Sequence, residues 1–249
     1  MGKLNGKVAV VTGASKGIGA AIAEDLAKEG ASVVINYSSS GAQANKVVEK
    51  IKASGGKAKA VGADVSKPAE AKKLIDAAVA EFGKLDILVN NAGVYEFLPL
   101  TNVSEAHYDR IFGINVKGLL FTTQAALEKF NGSGGSIINV SSVVSTSALP
   151  GSSVYSATKA AIDSFTRTLS SELGPKNIRV NSVQPGPVET EGANEMPDWE
   201  GFKSQIVPRT PLGRVGYPKD VAPVVSFLAS DESAWITGQE IATAGGLRG

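Results

Sequence analysis

Cysteine is absent from the 249-residue chain, which removes disulfides, thiol nucleophiles and thiolate metal sites together. Histidine occurs once, as His107 in the polar tract Ser104-Glu105-Ala106-His107-Tyr108. A lone histidine in such a tract is expected at the surface, and no metal site is expected. Neither sign of charge is in excess: 25 Lys and Arg stand against 24 Asp and Glu, a net +1. No long Lys/Arg run marks a nucleic-acid-binding face. No apolar run approaches the roughly eighteen residues that a membrane span needs, and the stretch before the first strand holds no apolar signal core. Neither nucleic acid nor a membrane is expected as a partner, and a cytoplasmic location is.

What is present is an alternation of short apolar runs with helical patterns. Val8-Ala9-Val10-Val11 reads as a strand buried on both faces. Ile18, Ile22 and Leu26 follow at helical spacing, closed by Gly30. Further strands are expected at Ser32–Asn36, Lys57–Val61, Ile87–Val89, Ser136–Val140, Ile178–Val183 and Glu240–Thr243. Helices are expected around Ala42–Ala53, from Ser66 and Pro68 to Phe82, over Ser104–Phe130 with a break near Gly113, at Ser153–Leu173 and at Lys219–Ala229. Alternation of this kind implies parallel strands joined by right-handed crossovers, with helices on both faces. No composition shift marks a linker, so residues 1–249 read as one α/β domain. Pro185–Gly216 is rich in Pro and Gly and too long for an ordinary connector.

The first strand runs into Thr12-Gly13-Ala14-Ser15-Lys16-Gly17-Ile18-Gly19. Glycines there let backbone amides approach a pyrophosphate, and the following helix N-terminus favours negative charge. The same residues match a Gly-x-Ser-x-Gly nucleophile elbow, with Asp86 and His107 following in hydrolase order. Such an elbow needs several strands before it, and only one precedes this turn. At the end of the second strand, a carboxylate would bind an adenosine ribose hydroxyl. This chain has Asn36-Tyr37-Ser38-Ser39-Ser40 instead, so a 2′-phosphate is not repelled and Lys16 with the hydroxyls could bind it. NADP(H) is therefore expected over NAD(H).

Between Ser142 and Lys159 a strand ends on a hydroxyl, a loop turns back, and a helix presents Tyr155 and Lys159 on one face, one turn apart. An ammonium beside a phenol favours phenolate. Lowering a phenol from about 10 to about 7 needs roughly 4 kcal/mol, at 1.36 kcal/mol per unit. One exposed Lys does not supply that, which implies a second positive charge or partial desolvation.

With these stretches, Asn90-Asn91-Ala92-Gly93 and Pro185-Gly186-Pro187-Val188-Glu189-Thr190, the whole chain resembles the short-chain dehydrogenase/reductase family. The resemblance implies a single Rossmann-type, doubly wound domain with a seven-stranded parallel sheet, and a nicotinamide cofactor across the carboxyl ends of its strands. It implies that Ser142 hydrogen-bonds a substrate carbonyl and that Tyr155 exchanges the proton. Lys159 would bind the nicotinamide ribose and lower the Tyr155 pKa, helped by the cofactor's charge, and Asn115 would hold a water of the proton relay. The family spacing to the tyrosine selects Ser142 over Ser141. Cofactor contacts are implied at Gly13, Ser15, Lys16, Gly17, Ile18, Gly19, Asn36, Tyr37, Ser38, Ser39, Asp64, Val65, Asn91, Ala92, Gly93, Pro185, Gly186, Val188 and Thr190. A homotetramer is implied as well.

Within the family the chain looks most like the β-ketoacyl-carrier-protein reductases and related NADPH-dependent ketone reductases. Ile236-Thr237-Gly238-Gln239 and Gly245-Gly246 carry that likeness. Basic residues for docking an acyl carrier protein are sparse: Lys176 is one, and Leu127–Gly132 adds little. A free small ketone or aldehyde is expected as substrate, with a sugar or polyol dehydrogenase as the alternative. Specificity is expected in a lid at about 190–216, with Met196, Trp199, Phe202 and Ile206 as its apolar face, and with Tyr95, Phe97 and Leu149 lining the pocket.

Overall fold

The computed structural model describes residues 2–130 and 134–247. Asn131 and Gly132, in the stretch read for carrier docking, lie outside them. Seven strands form one parallel sheet in the order β3-β2-β1-β4-β5-β6-β7. They are β1 Val8–Val11, β2 Ser32–Tyr37, β3 Lys57–Gly62, β4 Ile87–Asn90, β5 Gly135–Val140, β6 Ile178–Pro185 and β7 Glu240–Thr243. Crossovers run through α1 Gly17–Lys28, α2 Gly41–Ala53, α3 Pro68–Phe82, α4 Glu105–Phe112, α5 Gly118–Leu127, α6 Ser153–Leu173, two short helices (α7 Glu191–Asn194 and α8 Trp199–Ile206) and α9 Pro218–Ala229. This is the Rossmann-type, single-domain arrangement expected. Among the described residues, no helix is long and apolar enough to cross a membrane.

Strand alternation splits the core into two layers. Ala9, Val11, Val33, Ile35, Ile87 and Val89 face Ile22 and Leu26 of α1 and Val221 and Val225 of α9. Val10, Val34 and Leu88 face the other way, onto Leu74, Ile75 and Ala78 of α3 and Ala126 of α5. Because successive side chains point to opposite faces, a strand covered on both sides must be apolar throughout, as Val8–Val11 is. The strand order reverses between β1 and β4, which leaves a crevice outside their carboxyl ends.

Four expectations are corrected in detail. The helical tract does not break at Gly113: Gly113–Lys117 forms a π-helical turn that joins α4 to α5, a widened turn of the kind often found at functional sites. The tract ends at Leu127, three residues early, and Phe130 forms an isolated bridge with Leu85. His107 is buried, not exposed. With Ile111 it forms the inward stripe of α4 at i, i+4 spacing, and neither ring nitrogen has a partner among the described groups. Finally, the Pro/Gly-rich stretch contains α7 and α8. Thr190 caps the first by accepting from Ala193 N–H at 3.1 Å, and Asp198 caps the second by accepting from Gly201 N–H at 3.1 Å.

Candidate active site

Outside the carboxyl ends of the strands lies a cleft of about 640 Å³. One end is built by the Gly-rich turn, which other strands hold in place. Asn36 Oδ1 accepts from Gly13 N–H at 3.1 Å, while its amide donates to the carbonyls of Tyr37, Val61 and Ala63 at 3.0–3.3 Å. Asn91 Nδ2 donates to the carbonyls of Thr12 and Gly13 at 2.8 and 3.0 Å, and the Thr12 hydroxyl accepts from the backbone amides of Asn91 and Ala92. The packing admits only glycine at two points. A Cβ on Gly13, where φ is +60°, would lie 2.8 Å from Ala92 Cα, and one on Gly19 would lie 2.4 Å from Asn91 Nδ2.

At the start of α1, Gly17 N–H donates to the Glu191 carboxylate of α7 at 3.1 Å. A negative group thus already sits on the amide where a helix N-terminus favours an anion. Lys16, exposed beside it, has no ion pair among the described residues, and with Ser38 and Ser39 it lines the cleft. The Asp64 carboxylate accepts from Ser66 N–H and Oγ–H at 3.0 and 2.7 Å, and both Asp64 and Val65 line the same wall. Its turn hydrogen bonds hold the Asp64 carboxyl below the usual carboxylate range.

The middle of the cleft collects Ser142, Tyr155 and Lys159 from the end of β5 and the first turns of α6. Lys159 is buried and donates from Nζ to Val140 C=O at 2.9 Å, with Nζ 5.5 Å from the Tyr155 ring centroid. As the sequence implied, Lys159 does not by itself bring the Tyr155 pKa down, but desolvation, offered there as one way to lower it, acts in the opposite direction. Burial pushes the phenol up to about 12, and the Ser142 hydroxyl is the group that pulls against it. Burial likewise brings Lys159 down to about 8, with the Asp163 charge opposing. A low-dielectric site penalises both charged forms, so the amine loses part of the charge that would stabilise phenolate. Both serines line the cleft, and the Ser141 hydroxyl is committed to Lys159 C=O, to which it donates at 3.1 Å.

Two expected cofactor contacts, Tyr37 and Ser15, lie elsewhere, and Asn115, expected to hold a water of the proton relay, lies behind the cleft wall. Asn115 is buried in the π turn, where its amide brackets Val94, accepting from N–H at 2.8 Å and donating to C=O at 2.9 Å, and also donates to Thr158 Oγ1 at 3.1 Å. It does not line the cleft but supports the loop that does. Tyr37, one residue past Asn36, points to the opposite face of β2, and its ring rests against Gly41 and Gly62. Ser15 is half-buried within the turn and does not line the cleft. The other expected cofactor positions, including Pro185, Gly186, Val188 and Thr190, do line it.

The far end is apolar. Tyr95, Phe97 and Tyr155 form a cluster with ring centroids 6.0–6.2 Å apart, and Trp199 stacks on Phe202 at 5.6 Å. Met196, Ile206 and Leu149 complete these walls. Sequence reasoning missed Arg209 and Leu247, which also line it, because nothing local marks them.

A Gly-rich turn, a carbonyl-side hydroxyl, a phenol and a buried amine on one cleft direct the comparison with known proteins. The family model described as Enoyl-(Acyl carrier protein) reductase matches residues 13–248. A versicolorin reductase of Emericella nidulans is 43% identical, over 98% of this chain and 96% of its own length. The chain belongs to the short-chain dehydrogenase/reductase family. An uncharacterized oxidoreductase of Methylorubrum extorquens is 57% identical over the full length of both, and a probable tetrahydroxynaphthalene reductase of Zymoseptoria tritici is 43% identical over 96% of this chain and 93% of its own. The solved short-chain dehydrogenase/reductase of Serratia marcescens superposes with a TM-score of 0.94 at 37% identity, covering 99% of this chain and all of that one. As a family member, the protein is an oxidoreductase that works with a nicotinamide dinucleotide. The cleft fits such a group: glycine-only packing at Gly13 and Gly19 opens the turn, and the Gly17 amide already holds an anion.

Proposed function

We propose that the protein reduces a ketone to an alcohol, with NADP(H) preferred over NAD(H). The observation that carries this reading is the convergence of Ser142, Tyr155 and the buried Lys159 on one cleft, where the phenol is protonated at neutral pH and can donate to a carbonyl oxygen. Gly13–Gly19 and Pro185–Thr190 would hold a reduced nicotinamide dinucleotide, which would supply the hydride. Tyr155 gives its proton to the carbonyl oxygen, so the C=O bond becomes C–H and O–H. Ser142 donates a hydrogen bond to the same oxygen, the electrostatic aid that a developing alkoxide needs. Lys159, in its protonated form, adds positive charge beside the phenol and would hold the nicotinamide ribose. Asn115 holds the Val94 loop and the start of α6 in register for the proton path. Gly13, Lys16, Gly17, Ile18, Gly19, Asn91, Ala92, Gly93, Asp64 and Val65 form the dinucleotide bed, and Ser15 shapes the turn beneath it.

The phosphate preference rests on the lack of a carboxylate at the end of β2 and on Lys16, Ser38 and Ser39, which line the cleft there. Asn36 has its amide committed to the backbone, so this preference lies with its neighbours. Residues of about 190–216 form the lid over the substrate. Two relatives are named versicolorin reductase and tetrahydroxynaphthalene reductase, and the aromatic walls suit a flat ring system like a naphthalene. A second reading, a ketone on an acyl carrier protein, is favoured by the description of the matching family model. Self-assembly, expected as a tetramer, is supported by the open edge of β7 and by Trp235, fully exposed just before it; light scattering measures it.

Oxidation of NADPH and of NADH is followed with aryl ketones, sugars and β-ketoacyl thioesters. Turnover of aryl ketones with NADPH is expected. Undiminished turnover by Tyr155→Phe, or tighter binding of NADH than NADPH, would overturn the mechanism or the cofactor preference respectively.

A further inference from the structure

The ketone-reductase reading leaves one charged group of the cleft without work. Five ionisable side chains other than tyrosines line it: Lys16, Asp64, Lys159, Glu191 and Arg209. Lys16 stands at the Gly-rich turn, Asp64 caps its own turn, Lys159 lies under Tyr155, and Glu191 accepts from Gly17 N–H. Arg209 remains. The segment between β6 and α9 carries three cations, and two are neutralised. Lys203 pairs with Glu200 at 2.6 Å and Glu189 at 3.5 Å, and Arg214 with Asp220 at 2.6 Å. Arg209 has no carboxylate or hydrogen-bond partner among the described residues. Glu195, whose charge reaches Tyr95, does not line the cleft.

The backbone that carries Arg209 is fixed. Thr210 is buried and donates from Oγ1 to Ile206 C=O at 2.9 Å, and Leu212 N–H donates to Gly245 C=O at 3.0 Å. An exposed guanidinium is therefore carried on an anchored turn, three residues after Ile206 on the same segment that brings Trp199 and Phe202 into the cleft lining. Apolar walls strengthen an ion pair formed against them, because they exclude water that would screen it. A planar guanidinium takes both oxygens of a carboxylate at once.

We propose that Arg209 recognises an anionic oxygen group on the substrate, best a carboxylate, borne on the aromatic ring system at the end remote from the ketone. This rests on the ketone-reductase reading for the position of the reacting carbonyl, but the anion site stands on its own geometry.

The test has a binding arm and a turnover arm. Calorimetry compares 2-naphthoate with methyl 2-naphthoate on the wild-type protein, Arg209→Ala and Arg209→Lys, with NADPH binding as the control that the rest of the cleft is intact. Wild-type protein is expected to prefer the acid. The acid-to-ester ratio is expected to fall about 10- to 100-fold in Arg209→Ala, the range for losing a charge-assisted hydrogen bond, and to be partly kept in Arg209→Lys. The same ratio is then read as kcat/KM with a ring-carboxylated tetralone and its methyl ester. Equal affinity of wild-type protein for acid and ester, or an equal loss of both in Arg209→Ala, overturns the proposal. So does a loss confined to a β-ketoacyl carrier protein, which would place Arg209 on a protein-docking surface. Absence of turnover with every ketone overturns the ketone-reductase reading alone, and the naphthoate arm still decides Arg209.

Discussion

Raising the pH through 8 is expected to lower reductive activity while it raises stability, and both effects trace to the Lys159 amine. Its Nζ is buried against Val140 C=O, and burial brings it from an ordinary lysine value down to about 8. The phenol beside it is moved the other way, to about 12. Each displacement corresponds to about 3 kcal/mol against the charged form, at 1.36 kcal/mol per unit. For activity, the proton donor persists to high pH, so the first group lost is the Lys159 ammonium. The reductive kcat/KM, which reports the free enzyme, is then flat below about 8 and falls about tenfold per pH unit above it. For stability the sign reverses. Between about 8 and 10 the folded chain has released a proton that the unfolded chain still holds, so stability increases with pH. Above 10 the raised phenol opposes this, which confines the clean window to 8–10. Urea unfolding of wild type and of Lys159→Met across that window isolates the contribution, since only wild type should gain. A basic limb absent below pH 10, or an equal pH slope in the two proteins, would refute the assignment of a buried, weakly basic Lys159.

The remaining expectations concern the groups around that pair and the nucleotide turn. Asp163, buried one turn beyond Lys159 and accepting from Gln184 Nε2 at 2.9 Å, favours the ammonium; Asp163→Asn should move the basic limb of kcat/KM to lower pH by about one unit, and Asp163→Glu should restore it. Tyr155→Phe should cut reductive kcat by at least about 100-fold while NADPH binding, followed by fluorescence, persists. Gly19→Ala drives a methyl to 2.4 Å from the Asn91 amide and should cost about 1–3 kcal/mol in chemical unfolding. Asn36→Asp turns a carboxylate toward the three carbonyls that the amide now serves. It should lower stability by about 3–5 kcal/mol and so prevent a simple conversion to NAD(H); unfolding midpoints decide.

Sequence by itself determined what depends on neighbours along the chain. The i, i+4 placement of Tyr155 and Lys159, the apolar strands and the Gly-rich turn follow from local spacing, which a helix or strand converts directly into direction; the choice of Ser142 over Ser141 came from the family resemblance. The Pro/Gly-rich stretch hid α7 and α8, because their stabilising caps at Thr190 and Asp198 are single side chains in a sequence that otherwise disfavours helix. Only the tertiary structure decided matters set by distant segments. Asn36 and Asn91 became clamps on the Gly13 turn because the parallel sheet brings the ends of β2 and β4 to β1. His107 was carried inward by the packing of α4, and strand alternation turned Tyr37 away from Asn36, onto the face of β2 that carries Val33 and Ile35. Lys159 lost much of its basicity because burial depends on everything packed around it, and Arg209 and Leu247, 38 positions apart, line one cleft through the chain's return to the Thr210–Leu212 turn.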